Sequence, residues 1–474
     1  MASLSLPQPG RNWPAWGLPT AGGAALGSDL HDRYLRFLCF SLAAYAILGK
    51  GYAYVGVPPL FVGEVLLALG LVVFLRTGSW LAILGSPPCI CLVLLMMWAA
   101  SRMVPFLGTH GIEAVRDSVI VFYGLFAFIV LALLLEKPAR LDWLLRRFGG
   151  FAWFYGLAAP ILLNANSLVG GLLPTWPAAG VPFVFVRLGE AAVHVAGAGA
   201  FVLLGFRKVR PYWIVAFLVT LVVVSPSRGA MLACFIPLVF VALVGGALKR
   251  MFPALCVGAA LFVSAYALGV SVPISGVGER SIGPEQIIHN VESLFGSSKA
   301  SNLDGTKAWR LHWWRTIEDY ALRGSYMWSG KGFGVNLAEA DGFTLGDGRG
   351  APPVRAPHNI HYNVLARMGV PGLALWALVL ATWFLSLTRA AVEARRLGQP
   401  HWEKLFIWIV AYGGSVVIDA TFDVAIEGPM LGIWFWCIFG FGCAAVMIFR
   451  APQRMAEGSK GAPLALVPGP VLGR

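Results

Sequence analysis

The sequence predicts an all-α protein: a polytopic membrane helix bundle of about twelve transmembrane helices, with one large external loop containing short helices. Three observations lead there. Of 474 residues, 58% are hydrophobic and 12% charged, against about 25% charged in an ordinary soluble domain. The apolar residues gather into long runs. Lys and Arg gather in alternate short connections between those runs: Lys137, Arg140, Arg146 and Arg147; Arg207, Lys208 and Arg210; Lys249 and Arg250; Arg389, Arg395, Arg396 and Lys404; Arg450 and Arg454. Basic short loops face the cytoplasm, which puts both termini inside. The net charge of +13 is therefore a topology signal, and no nucleic-acid partner is expected.

In chain order, residues 1–30 are rich in Pro and Gly, lack the parts of a signal peptide, and read as a flexible cytoplasmic tail. Residues 31–273 hold the first nine helices, on runs near 36–49, 58–75, 80–100, 118–135, 150–172, 181–205, 211–225, 229–247 and 252–273. Several, such as 36–49 and 211–225, fall short of the roughly 20 residues needed to cross hydrocarbon. Residues 274–357 form the long external loop, too long to be an idle connection. Its middle, TKAWRLHWWRTIEDYALRG, sets apolar or aromatic residues at 309, 313, 314, 317 and 320. That is helical spacing, and the tryptophans suit a helix lying at the outer membrane interface. Runs near 359–388, 404–422 and 429–449 give the last three helices within 358–449, and 450–474 is a second cytoplasmic tail. All seven cysteines lie in apolar runs without a Cys-x-x-Cys pair, so neither a zinc knuckle nor a disulfide framework is indicated.

Ionisable residues inside apolar runs are costly and mark function. VPFVFVRLGEAAVHVAGAG carries Arg187, Glu190 and His194 on one helix face, with Arg187 roughly 9 Å below the outer end at 1.5 Å per residue. A self-neutralised Arg187–Glu190 pair that only orders the bundle is the plain alternative. VVVSPSRGAMLAC puts Pro226 and Arg228 at an outer hinge, where an arginine also serves as a headgroup anchor. IDATFDVAIEGP stacks Asp419, Asp423 and Glu427 down one helix face; unpaired carboxylates repel, so they should face a cationic site. APHNIHYNVLARMGVPG, residues 356–372, gathers His358, Asn359, His361 and Asn363 at the mouth of a membrane run. Arg187, Arg228 and Arg310 all fall at the outer rim. Their planar, permanently charged guanidinium groups suit a diphosphate, and a diphosphate held at the outer leaflet is a lipid-linked one.

PSRGA (226–230), WRLHWW (309–314), GKGFG (330–334) and PHNIHYNVLARMGVPG (357–372), in that order around a large outer loop, resemble the bacterial O-antigen ligase and Wzy-type O-antigen polymerase superfamily. The resemblance covers roughly residues 181–430. GKGFG alone is no phosphate loop, because no strand precedes it and no Lys-Ser/Thr follows. The resemblance implies a glycosyltransferase of the bacterial inner membrane, with its site facing the periplasm and no metal or other cofactor. Its donor is a polyprenyl-diphosphate-linked glycan, its acceptor a glycolipid or a second lipid-linked glycan, and membrane lipid surrounds both. No motif separates ligase from polymerase. The resemblance puts His358 at the acceptor hydroxyl and Arg228 and Arg310 on the diphosphate, with Arg187 a further arginine of an earlier span. Glu190, Trp314, Asn359, His361 and Asp423 are expected to support them.

The chemistry is consistent with that. A departing diphosphate gathers charge that fixed cations stabilise, and imidazole, titrating near ~6.5, is a suitable base for a sugar hydroxyl. Base and arginines on opposite sides predict inversion at the anomeric carbon. From the residues alone, Pro357-His358-Asn359 can also be a helix start, and His358 with His361 half a metal site lacking a third ligand. A glycolipid transporter or flippase of the envelope would also bury Arg, Glu and His, but commonly shows two related halves. The first half here has no counterpart of the long loop, PHN or SRGA. A purely structural scaffold would not need the arginine–histidine constellation.

Overall fold

The computed structural model describes residues 27, 29–169, 172–177, 180–273, 281–295, 301–344 and 354–460. The tail expected over 1–30 lies almost wholly outside these residues, as do residues 461–474 of the other tail. The main helices are α1 (Leu30–Leu48), α2 (Val62–Arg76), α3 (Pro87–Met103), α4 (Ile112–Phe122), α5 (Leu125–Glu136), α6 (Ala139–Val169), α7 (Leu188–Leu203) and α8 (Pro211–Val224). They continue as α9 (Arg228–Val244), α10 (Leu248–Ala267), α11 (Pro284–Phe295), α12 (Ser301–Leu322), α13 (Ile360–Arg396), α14 (Pro400–Phe422) and α15 (Pro429–Lys460). Among the described residues, strands are limited to two antiparallel pairs of two residues each.

Every apolar run of the sequence contains helix, with the run near 118–135 divided between α4 and α5. Pro87–His110, Leu248–Ala267, Ile360–Arg396, Pro400–Phe422 and Pro429–Ala451 are long and apolar enough to cross a bilayer, and α4 with α5, bent by 41°, makes a sixth such stretch. α7, α8 and α9 are apolar but shorter, at 16, 14 and 17 residues. The protein is an all-α, multi-pass membrane protein.

Burial sorts the helices. The apolar window of α15 is 94% buried and that of α10 is 0% buried, so α15 is central and α10 is peripheral. α14 lies against α7, α9, α13 and α15, and its end is therefore where distant parts of the chain meet.

The run expected to be helical from 181 is helical only from Leu188. Residues 181–186 alternate β-branched and aromatic residues around Pro182, a pattern suited to extended chain. Their backbone pairs with the end of α1: Phe185 N–H donates to Leu48 O at 3.0 Å, and Lys50 N–H to Phe185 O at 2.9 Å. Non-helical backbone at such a depth persists where protein satisfies it. Arg187 is consequently the N-cap of α7, with extended φ −81° and ψ 150°, and not a residue inside a helix.

α13 is broken at Gly369 (φ 67°, ψ −170°), just before Pro371. The break frees carbonyls, and remote groups take them. Lys331 N–H donates to Ala366 O at 2.7 Å and Gly332 N–H to Arg367 O at 3.0 Å. The Trp98 indole donates to Met368 O at 2.9 Å. The GKGFG turn is thus the cap of a broken helix. Gly330, at φ +60°, lies so close to the Arg367 backbone that a Cβ there would overlap it.

Candidate active site

The polar cluster at the start of α13 divides at Asn359, the N-cap. Its side chain accepts from His361 N–H at 2.9 Å and Tyr362 N–H at 3.3 Å, the usual capping role of Asn. The helix-start reading of PHN therefore holds for Asn359, while Pro357 and His358 lie ahead of the helix.

His358 has φ +52° and is the one non-glycine residue with positive φ among those described. Such a conformation costs about 1–3 kcal/mol and persists only when its surroundings impose it. Here the Trp314 indole donates to Pro357 O at 2.9 Å, the Asn359 cap follows, and Asp423 Oδ1 lies 3.2 Å from the His358 Nδ1. Burial raises the Asp423 carboxyl, but the His358 hydrogen bond and the Arg187 charge outweigh it and bring the group to about 2. An ionised carboxylate only accepts, so the shared proton belongs to Nδ1. Nε2 then carries the lone pair, and the imidazole is 25% exposed.

His361 is placed differently. The Trp376 indole donates to its Nδ1 at 3.1 Å, and its Nε2 lies 3.3 Å from Thr421 Oγ1. Both ring nitrogens are engaged, with the proton on Nε2. The two histidines thus turn to different neighbours, and among the described residues no group of three or more His, Cys, Asp or Glu could hold a metal ion.

The three arginines are arranged around the end of α14. Arg310, on α12, donates to Phe422 O at 2.6 Å, one of the carbonyls a helix end leaves open. Arg228 begins α9, and the next residue, Gly229, lies so near Phe422 that a Cβ there would stand 2.7 Å from the Phe422 Cβ. Arg187 leads into Gly189, where a Cβ would overlap the Asp419 carboxylate. Half-buried, Arg187 forms no ion pair with a described residue. Glu190, 5% exposed, was expected to orient the Arg187 guanidinium. It instead accepts from the Arg187 backbone N–H at 3.4 Å, so it caps the start of α7.

The acidic ladder needs correction too. α14 ends at Phe422, Asp423 is its extended C-cap, and Glu427 belongs to a separate 3₁₀ turn at Ala425–Glu427. Pro429 starts the next helix, so the chain must turn before it. The three carboxylates therefore diverge: Asp419 faces the start of α7, Asp423 faces His358, and Glu427 accepts from Asn363 Nδ2 at 2.6 Å.

Sequence reasoning missed two groups. One is a polar chain through α13: Arg367 Nη2 pairs with Asp117 at 3.0 Å, its Nε donates to Asn363 Oδ1 at 2.8 Å, and Asn363 reaches Glu427. Burial drives the Glu427 carboxyl up to about 7 against the Arg367 charge. The chain ties α4 to the turn that follows Asp423. Its signal was an arginine, 2% exposed here, in the apolar run after PHN. The other is Lys50, at the end of the first run. Burial and then the nearby Arg187 charge hold its ammonium below the usual range, with Glu190 opposing.

The loop tryptophans divide their work. Trp313 is fully buried, stacked on Phe343 at 5.2 Å, and donates to Asp341 at 2.7 Å. Trp314 turns to the site and stacks on Tyr362 at 5.0 Å, whose hydroxyl donates to Glu318 at 2.5 Å. The apolar face of α12 therefore packs on protein: Trp313, Ile317 and Ala321 share a core with Leu337, Leu365 and Ala366. Lys331 pairs with Asp341 and lies 4.2 Å over the Tyr320 ring, a structural role.

Residues 213–377 match the family model described as O-antigen ligase. The match takes in Arg228, Arg310, Trp314, His358, Asn359 and His361; Arg187, Glu190 and Asp423 lie outside it. The resemblance read from the motifs is borne out over this stretch. No curated protein matches the chain.

Proposed function

We propose, with the O-antigen ligase family region at residues 213–377 as premise, that this protein is an inverting glycosyltransferase working without a metal. Its donor is a glycan on a polyprenyl diphosphate, and its acceptor is a sugar hydroxyl at the periplasmic face of the bacterial inner membrane. About twelve spans would carry it, with both termini cytoplasmic and residues 274–357 outside, as the basic short loops argue. The observation that carries the reading is the His358–Asp423 contact at 3.2 Å beside a helix end to which Arg310 donates and against which the helix starts at Arg187 and Arg228 pack closely.

In this reading His358 Nε2 takes the proton of the acceptor hydroxyl as its oxygen attacks the anomeric carbon. The bond from that carbon to the diphosphate oxygen breaks, and its electron pair leaves with the diphosphate. Asp423 stabilises the imidazolium that forms, as the carboxylate of a catalytic triad does. The arginines meet the charge that builds on the leaving group, already positioned and needing no reorganisation. Attack from the side opposite the leaving group inverts the anomeric configuration. Arg367, Asn363 and Glu427 act at one remove, by holding the turn that presents Asp423.

Ligase and polymerase share these steps and differ in acceptor, a lipid A–core sugar or a second lipid-linked repeat. The test is transfer by purified protein from a lipid-linked glycan, with each acceptor offered in turn and EDTA present. Product is expected with the chelator. Activity abolished by EDTA and restored by magnesium or zinc would overturn the arginine reading.

A further inference from the structure

A cavity of about 660 Å³ lies between α1, α6, α14 and α15, and none of the active-site residues discussed above lines it. Its walls are apolar, with Leu38, Leu42, Phe148, Phe151, Trp434 and Ile438 among them. Three arginines, Arg36, Arg146 and Arg147, line it where α1 and α6 begin, and no carboxylate does. The acids of that region already have partners. Asp32 holds Lys137 at 3.1 Å and Arg140 at 2.7 Å; Glu136 holds Arg140 at 2.6 Å and His31 at 2.8 Å. Asp142 holds Arg146 at 2.6 Å. Arg36 gives one N–H to Gly27 O at 2.9 Å. Arg147 is exposed and lies 5.3 Å from the Trp143 ring centre, a stack that engages its face and not its N–H fork.

The dimensions point the same way. Along α1 the wall runs from Leu35 to Ile47, roughly 18 Å at 1.5 Å per residue. One leaflet of a bilayer with a hydrocarbon core of about 30 Å is nearly that deep. The basic connections assign the arginine end to the cytoplasmic side.

We propose that this cavity binds an anionic phospholipid of the cytoplasmic leaflet. One acyl chain lies in the apolar groove, and the phosphate meets Arg36 and Arg147. An excess of cation at the headgroup end of a slot one leaflet deep is complementary to a phosphatidylglycerol-type lipid. A zwitterionic headgroup would leave that excess uncompensated.

The test uses the full-length protein, stripped of lipid in detergent and offered phosphatidylglycerol or phosphatidylcholine, with retained lipid counted by native mass spectrometry. Neither donor nor acceptor is present, so the outcome is independent of the glycosyl-transfer reading. Wild type should retain phosphatidylglycerol preferentially. Arg36→Gln with Arg147→Gln should weaken that retention roughly 30-fold, the effect of two cations near a membrane surface. Gly150 lines the groove, and a Cβ built there meets no atom within 4 Å. Gly150→Phe should therefore fill the groove and abolish retention while every arginine stays, with Tm in phosphatidylcholine micelles unchanged as the folding control. Equal retention of the two lipids by wild type overturns the proposal, as does undiminished phosphatidylglycerol in both variants. Displacement of bound phosphatidylglycerol by a polyprenyl phosphate also overturns it, because the groove would then belong to the donor.

Discussion

The two sides of Asn359 place histidines in opposite circumstances. Ahead of the cap, His358 is held at positive φ, partly exposed, with Nδ1 on a carboxylate and Nε2 in no hydrogen bond with a described residue. Behind it, His361 is inside the helix with both nitrogens engaged, by Trp376 and Thr421. Regular helix puts residues three apart on one face. A cap residue interrupts that regularity, and the interruption is what separates a chemically available imidazole from a structural one. The lesson is that the availability of a ring nitrogen here follows backbone conformation more than residue type.

The largest effect should come from the loop side. His358→Ala should fold, insert and retain lipid-linked donor, yet transfer roughly 10²–10⁴-fold more slowly in single-turnover assays. Near-normal turnover would erase the contrast between the two histidines. Asp423→Asn comes next, since an amide can turn its N–H toward Nδ1 and favour the wrong tautomer, a change that costs up to about 10⁴-fold in triads. The His358 hydrogen bond and the Arg187 charge bring the Asp423 carboxyl down to about 2, so it stays an ionised acceptor for Nδ1 from neutral to mildly acidic pH. Acidification from neutral should therefore leave it intact, and kcat measured for Asp423→Asn against pH reads whether the carboxylate matters.

Smaller losses are expected beyond the dyad. Arg228→Lys keeps the charge and loses the planar fork. Its rate should fall by less than the roughly 10²–10³-fold seen when a transition-state donor is removed outright; an unchanged kcat would remove Arg228 from the diphosphate clamp. The smallest change in rate belongs to the helix side. His361→Ala should keep transfer within about an order of magnitude but lower stability by roughly 1–3 kcal/mol, because the Trp376 indole loses its acceptor. Thermal unfolding beside initial rates separates the two effects, and a loss of rate equal to that of His358→Ala would break the comparison.

Much of this was legible in the sequence, because hydropathy and basic-loop placement act over short distances and leave a local mark. Each apolar run holds helix, and residues of PHN, SRGA and WRLHWW all border the end of α14. What escaped depends on partners far along the chain. Val181 to Arg187 have the composition of a membrane run, yet the backbone pairs with Leu48 and Lys50, which no periodicity reveals. Asp419, Asp423 and Glu427 have helical spacing, but the turn into Pro429 separates them. Arg367 read as one polar residue among apolar ones until Asp117, some 250 positions earlier, met it. The glycines of GKGFG and the Gly-Val-Pro-Gly joint are read separately in sequence and act as one device, a cap and the break it closes.

The backbone at residue 358 has a practical consequence. Glycine adopts positive φ without steric cost, so the conformation that His358 endures is one glycine would take freely. His358→Gly should lose transfer to the same extent as His358→Ala but melt above it, because strain relief offsets part of the lost Asp423 hydrogen bond, and paired melting and activity measurements would check this. A screen that ranks substitutions at residue 358 by yield or thermal resistance alone therefore favours glycine, which would remove the proposed base. Improvement by such screens must hold residue 358 fixed or score turnover directly.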